Sequence, residues 1–182
     1  MPRKPDPHLE KRILNAAQEL FLKGGEKALS MRTLAKAART NTPAVYRRFK
    51  NRKQILNALV RRIQQDLFAV VEPCVSLQEV CQRVVEFMLE HPYEYQLANS
   101  GLFSNVGADR PNLELIKRRS AEWLGGSPED YTDLVLAGWA FSHGTAMLLV
   151  SKAVPPAYET KLRAVLAGTI DLLVRNAAPA GK

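Results

Sequence analysis

Residues 30–53 contain two short helical patterns, separated by a polar break and followed by a run of cations. Apolar residues recur at the one-face spacing of a helix in both patterns, as Met31, Leu34, Ala35 and Ala38 and then as Val45, Tyr46 and Phe49. The break at residues 39–43 contains Asn, Thr and Pro, which can cap or begin a helix. The segment therefore predicts a helix-turn-helix unit, whose second helix lies in the major groove of DNA.

Positive charge is concentrated in the same part of the chain. Residues 1–66 contain 16 Lys and Arg against 5 Asp and Glu, whereas residues 67–182 contain 10 against 13. The formal net charge of +8 is thus +11 in the first third and −3 in the remainder. A solvated basic surface is the alternative interpretation. A phosphate-binding module explains the uneven distribution better, so we expect double-stranded DNA as a partner.

Helical periodicity continues through the rest of the chain without strand-like alternation, and Gly or Pro occurs at each break. The predicted fold is all-α, with an N-terminal three-helix helix-turn-helix domain at residues 1–52 and a C-terminal helical bundle at residues 53–182. About nine helices are expected, at residues 9–23, 31–38, 42 or 43–49, 52–73, 76–90, 93–104, 112–124, 127–152 and 158–176. Ser30 is the expected N-cap of the second helix. Asn41 and Thr42 remain alternatives for the third, since Pro43 as the first helical residue favours Thr42.

An uncharged stretch at residues 134–151 reaches the minimum length of a membrane span. Small and polar residues in its centre favour instead a helix buried between its own domain and a partner. The last two long helices have more apolar surface than one small body can cover, which predicts a homodimer. The residues concerned are Trp139, Phe141, Leu148, Leu149, Leu162, Val165, Leu166, Ile170 and Leu173.

Two cysteines, Cys74 and Cys81, are too few for a zinc site or a disulfide framework. Seven residues apart, they would share a face of one helix as small buried thiols. The polar N-terminal arm lacks the apolar stretch of a secretory signal, and we expect a cytoplasmic protein without a membrane anchor. The three His residues are scattered along the chain and form no catalytic cluster, and the sequence has no Gly-rich phosphate-binding loop. No enzyme activity, metal or cofactor is therefore expected.

Two motifs frame the predicted helix-turn-helix unit: residues 13–21 read Ile-Leu-Asn-Ala-Ala-Gln-Glu-Leu-Phe, and residues 45–52 read Val-Tyr-Arg-Arg-Phe-Lys-Asn-Arg. Together they resemble the first and third helices of the TetR-type transcriptional regulators. Gly25 and the Leu34-Ala35 pair stand at consistent spacing, so the resemblance covers about residues 9–62. It favours Asn41 as the cap of the third helix. Where the family has glycine, this chain has Arg39 in the turn and Pro43 in the recognition helix.

The resemblance implies a homodimeric regulator that binds a palindromic operator and is released by a small-molecule effector. Repression is favoured over activation, and the fourth helix is the expected link between effector and DNA. A non-specific architectural nucleic-acid-binding protein is the alternative.

Predicted DNA-binding residues fall into three groups. Base edges would be read from the start of the third helix by Thr42, Ala44 and Arg47, with Arg47 on guanine and Ala44 on a thymine methyl. Thr33 is expected to contact a base edge or a phosphate. Arg39 and Asn41, at the turn, are expected to lie beside the DNA backbone. Phosphates would be bound by Ser30, Arg32, Tyr46, Arg48, Lys50, Arg52 and Lys53.

The effector would bind inside the helical bundle, where pockets are common. Aromatic, His and Met side chains at helical spacing are the candidates, although the same pattern is typical of an ordinary core. The predicted lining residues are Phe87, His91, Tyr95, Leu102, Phe103, Trp123, Trp139, His143 and Met147.

Overall fold

The computed structural model describes residues 6–99 and 111–177, and these parts of the chain are helical without strands. Nine α-helices occur within them, which confirms the predicted fold class. Their bounds are α1 Leu9–Gly24, α2 Met31–Ala37, α3 Thr42–Arg48, α4 Arg52–Val71, α5 Leu77–Glu90, α6 Pro92–Asn99, α7 Pro111–Leu124, α8 Thr132–Val150 and α9 Glu159–Ala177.

The described residues divide into two compact units. One contains residues 6–63 and 97–99, and the other contains residues 64–96 and 111–177. A compact unit need not coincide with a functional domain, so the boundary between residues 52 and 53 stays a prediction.

In the first unit, α1, α2 and α3 pack around a common apolar core. Ile13 and Ala17 of α1 are fully buried, as their spacing of four residues on one helical face requires. Of the seven apolar residues whose spacing predicts the inward faces of α2 and α3, Met31 is half-buried and Tyr46 is exposed. The other five are buried: Leu34, Ala35, Ala38, Val45 and Phe49. A rigid three-helix core thus leaves the opposite faces of α2 and α3 in solvent.

The second unit is built on α5, which packs against α8 and α9. Gly138 lies where α8 meets α5, and a Cβ added there would be 3.3 Å from Sγ of Cys81. Cys81 is buried within α5, and this burial raises the pKa of its thiol to about 11. Cys74 is also buried but precedes α5, so the expectation that both thiols share one helical face is wrong.

Replacement of Gly138 by a large residue should separate α8 from α5. Gly138→Leu is expected to lower the free energy of unfolding by about 1–3 kcal/mol, because side chains from α5 and α9 already occupy this space. Urea unfolding followed by circular dichroism measures it. Ala69→Leu, on the exposed side of α4, is the control and should stay within about 0.5 kcal/mol of the wild type. Equal effects of the two substitutions would contradict this packing.

Residues 127–131 depart from the predicted helix. They form a 3₁₀ turn, Pro128–Tyr131, and α8 begins only at Thr132. Nζ of Lys117 lies 2.9 and 3.0 Å from the two carboxylate oxygens of Glu129, which raises the pKa of Lys117. The hydroxyl of Tyr131 donates to the carbonyl of Gly125. These contacts hold the turn against α7 and prevent it from continuing the axis of α8.

The apolar segment Pro128–Val150 is long and apolar enough, by length and composition alone, to cross a membrane. A core helix of a soluble protein meets the same criteria, so this is a weak indication. Seven of its residues are buried within the chain itself: Tyr131, Leu134, Val135, Gly138, Ser142, Thr145 and Ala146.

Candidate nucleic-acid interface

The turn between α2 and α3 reverses the chain through Arg39, whose φ is +52°. The N–H of Thr40 donates to the carbonyl of Ala35 at 2.9 Å, and that of Arg39 donates to Lys36 at 3.2 Å. This pair of bonds is the Schellman ending of a helix, in which the residue with positive φ is usually Gly. Compared with glycine, Arg39 in this left-handed conformation costs about 1 kcal/mol of conformational free energy. It also places a cation at the turn.

Ser30 caps α2, as the sequence predicts. Its Oγ accepts from the N–H of Thr33 at 3.0 Å, and Oγ1 of Thr33 accepts from the N–H of Ser30 at 2.9 Å. The Thr33 hydroxyl also donates to backbone carbonyl oxygen of Ala28 or Ser30. Thr33 is exposed, but its hydroxyl is already hydrogen-bonded within this capping box. Its contact with DNA stays a prediction.

Asn41 rather than Thr42 caps α3, with Oδ1 accepting from the N–H of Ala44 at 2.9 Å. Thr42 and Pro43 are the first two helical residues, where the missing N–H of proline leaves no intrahelical bond unmade. The amide nitrogen of Asn41 is not used by this cap.

Two substitutions of Asn41 separate its capping role from any role in binding. Asn41→Ala is expected to lower the free energy of unfolding by about 1 kcal/mol, because the N–H of Ala44 loses its acceptor. Asn41→Asp keeps an acceptor at the helix N-terminus and should retain the stability of the wild type. Its new negative charge should weaken the binding of duplex DNA. Urea unfolding and fluorescence anisotropy measure the two effects, and equal loss of stability in both variants would exclude the cap.

The outward face of α3 carries Tyr46, Arg47 and Arg48, which are all exposed, and Thr42 is partly exposed. Ala44 is different: only 4% of its surface is accessible, so the prediction that it faces outward is wrong. Ala44 is buried together with its neighbour Val45, and this leaves no surface for a thymine methyl. Thr42 and Arg47 therefore remain as candidates for reading bases.

Cations surround this face. The predicted phosphate-binding residues Arg32, Arg39, Arg48, Lys50, Arg52 and Lys53 are all exposed. Lys36, one turn after Arg32 on α2, is exposed as well and was not predicted. The first turns of α2, α3 and α4 contain no acidic residue, so no acidic side chain within these turns offsets the positive end of the helix dipole.

Two of these arginines contact other parts of the chain. Arg48 donates to the carbonyl of Asp6 at 3.3 Å, and a terminal nitrogen of Arg52 lies 2.7 Å from a carboxylate oxygen of Glu26. The Arg12 guanidinium, together with the N–H of His8, holds the pKa of the Asp6 carboxyl below its usual value. The sequence gives no signal for these contacts, since the partners are 42 and 26 residues apart.

A second reciprocal cap precedes α4. Oδ1 of Asn51 accepts from the N–H of Gln54 at 3.0 Å, and Oε1 of Gln54 accepts from the N–H of Lys50 at 2.7 Å. Asn followed three residues later by Gln is the signal that predicts such a cap, and it was missed. The cap fixes the start of α4, and with it the backbone positions of Arg52 and Lys53.

In the second unit, two pairs of predicted lining residues are brought together. Nδ1 of His143 on α8 lies 3.2 Å from the hydroxyl of Tyr95 on α6. The rings of Phe87 and His91, at the end of α5, lie 4.8 Å apart between centroids. Trp139 and Met147 share α8 with His143, and Trp123 lies on α7. Leu102 and Phe103 lie outside the described residues.

Comparison with protein families gives a match within the first unit. Residues 13–59 match the family described as bacterial regulatory proteins, tetR family. This segment of the chain is therefore similar to that family. The matched residues run from α1 into α4 and include the whole of α2, the turn and α3.

Solved structures share the TetR fold with this chain over most of its length. A protein of unknown function from Rhodococcus sp. RHA1 is 22% identical with a TM-score of 0.72, covering 97% of this chain and 100% of its own. TetR from Acinetobacter baumannii AYE is 18% identical with a TM-score of 0.66, covering 95% and 96%. A variant of that protein in complex with minocycline is 19% identical, with a TM-score of 0.64 and the same coverage. The comparison with curated protein sequences gave no match.

Proposed function

We propose that this protein is a TetR-type transcriptional regulator that places α3 in the major groove of operator DNA. The observation that carries the proposal is the α2–α3 unit, with Tyr46 and Arg47 exposed within the segment that matches the TetR family. Arg47 would read guanine, while Tyr46 and the surrounding cations would bind phosphates. No part of this requires an enzymatic centre, and we place the protein in the cytoplasm with its operator.

The proposed assembly is a homodimer through α8 and α9. On α8, Phe141 and Leu148 are exposed, and Gly144 lies between them with open space where a Cβ would stand. On α9, Val165, Gly168 and Leu172 repeat the same arrangement. Two stripes of exposed apolar side chains, each with a glycine at its centre, suit a close helix–helix contact with a second copy.

Two residues that were predicted for this surface do not belong to it. Leu166 and Ile170 are buried in the chain's own core, because α9 directs that side toward α5 and α8. Leu172, which was not predicted, is exposed on the opposite side of α9. The proposed interface therefore uses the face of α9 that includes Val165 and Leu172.

Regulation is proposed to follow from an effector bound in the helical body, near the His143–Tyr95 pair. A relative of the same fold was solved with minocycline, which supports a small organic molecule as the class of effector. α4 contains residues of both compact units and is the proposed link. If the effector lowers operator affinity, the operator must lower effector affinity by the same factor. Repression by occlusion of a promoter is the proposed outcome.

Sequence preference separates this function from the alternative, a non-specific architectural nucleic-acid-binding protein. Both predict affinity that falls with salt, since both bind phosphates. The test compares a palindromic duplex obtained by selection with a shuffled duplex of the same composition at one salt concentration. A regulator should prefer the palindrome by about a thousandfold or more. Equal affinities would contradict the proposed function.

A further inference from the structure

Glu26 stands at the edge of a long segment without acidic residues. Between Glu26 and Asp66 the chain has 11 Lys and Arg and no Asp or Glu. This segment contains α2, α3 and most of α4, and therefore the whole proposed DNA-binding surface. Glu26 itself lies in a 3₁₀ turn, Gly25–Ala28, that follows α1.

The side chain of Glu26 reaches the first residue of α4. One carboxylate oxygen lies 2.7 Å from a terminal nitrogen of the Arg52 guanidinium, within the range of a charge-assisted hydrogen bond. About half of the Arg52 side chain and two fifths of the Glu26 side chain remain exposed, so the pair can open without disturbing a core. In the described part of the chain, no carboxylate lies within ion-pair distance of Arg32, Arg47, Lys50 or Lys53.

Arg52 is thus the one proposed phosphate-binding cation in the described residues that is already neutralised by a carboxylate of its own chain. A phosphate that approaches the N-terminus of α4 meets this carboxylate as well as the guanidinium. It must either displace Glu26 or bind beside a negative charge, and both reduce the net gain.

We propose that Glu26 is an affinity-limiting residue that competes with a DNA phosphate for Arg52. The inference rests on the proposed function, because the phosphate is that of the operator backbone. The competition weakens binding to all sequences alike, since no base is involved. The competition also lowers, by up to one, the number of DNA phosphates that the protein neutralises. Fewer counterions are then released on binding, so the affinity depends less on salt.

The test is a double-mutant cycle of Glu26→Gln and Arg52→Gln, with affinity for a selected palindromic duplex measured by fluorescence anisotropy at a series of KCl concentrations. Glu26→Gln should tighten binding about two- to fivefold, the worth of an exposed ion pair. It should also steepen the slope of log affinity against log salt by up to about 0.9. In the Arg52→Gln background most of the gain should disappear.

Glu19→Gln is the matched control, because it removes the same charge from an exposed position on α1 that is not paired with a cation. An equal gain in Glu19→Gln would show a general charge effect and overturn the inference. Weaker or unchanged binding by Glu26→Gln, or a gain that persists in the Arg52→Gln background, would overturn it as well. A wild-type protein that binds palindromic and shuffled duplexes equally would contradict the proposed function instead, while the cycle still reports on Glu26 and Arg52.

Discussion

A protein carrying Phe141→Lys is expected to be a monomer and to lose most of its operator affinity. Phe141 is 47% exposed on α8, beside the open position at Gly144. In the proposed dimer a lysine there would bury an ammonium group without a partner, which the apolar interface cannot accommodate. Without its partner, each recognition unit binds one half-site alone, and the affinity should fall by about 100-fold or more. Light scattering and anisotropy with the palindromic duplex measure the two losses.

Val75→Lys is the matched control. Val75 is 74% exposed but lies in the segment between α4 and α5 and is not part of the α8 and α9 stripes. The same change of charge should leave both the dimer and its operator affinity unchanged. A wild-type protein that is monomeric at micromolar concentration would contradict the interface. A dimer that persists in Phe141→Lys would contradict the part assigned to α8.

We expect Arg47→Ala to lose discrimination at one base step in each half-site. Arg47 is exposed on the outward face of α3, and its guanidinium can form two parallel hydrogen bonds with guanine O6 and N7. Loss of such a pair costs about 1–3 kcal/mol, or roughly 5- to 150-fold, between the preferred and the substituted base. Affinities for a set of duplexes with single-base changes measure it.

Lys50→Ala provides the comparison, because Lys50 follows α3 and is proposed to bind only phosphate. It should weaken binding to every duplex by a similar factor and reduce the salt slope by about one. If Arg47→Ala and Lys50→Ala gave the same pattern, the division between base and phosphate contacts would be wrong. Circular dichroism of both variants should match the wild type, since neither side chain contributes to the core.

Features controlled by neighbouring residues were predictable from the sequence. Ser30 caps α2 because a short polar side chain can reach an N–H three residues ahead. For α3 the residues alone left Asn41 and Thr42 open, and the family resemblance favoured Asn41, which is the cap. Arg39 has the left-handed backbone that glycine adopts most easily, at the position where the resembling family has glycine. The core of α2 and α3 follows directly from periodicity, since each helix can turn only one face toward the others.

Features that depend on packing were not predictable from the sequence. Ala44 is buried in a helix of only seven residues, where the limit between the inward and outward faces is not sharp. The ion pair of Glu26 with Arg52 joins residues far apart in sequence. The 3₁₀ turn before α8 is held partly by Lys117, which contacts Glu129 from a different helix.

Selection of bound duplexes from a random pool tests the central claim most directly. A dimer with two α3 helices in successive major grooves should enrich a palindrome whose half-sites are centred about 10 base pairs apart, or a multiple of that spacing. A guanine contacted by Arg47 should recur in each half-site, and the same step should lose its preference when the selection is repeated with Arg47→Ala. A pool that stays random after successive rounds at fixed salt would contradict the account.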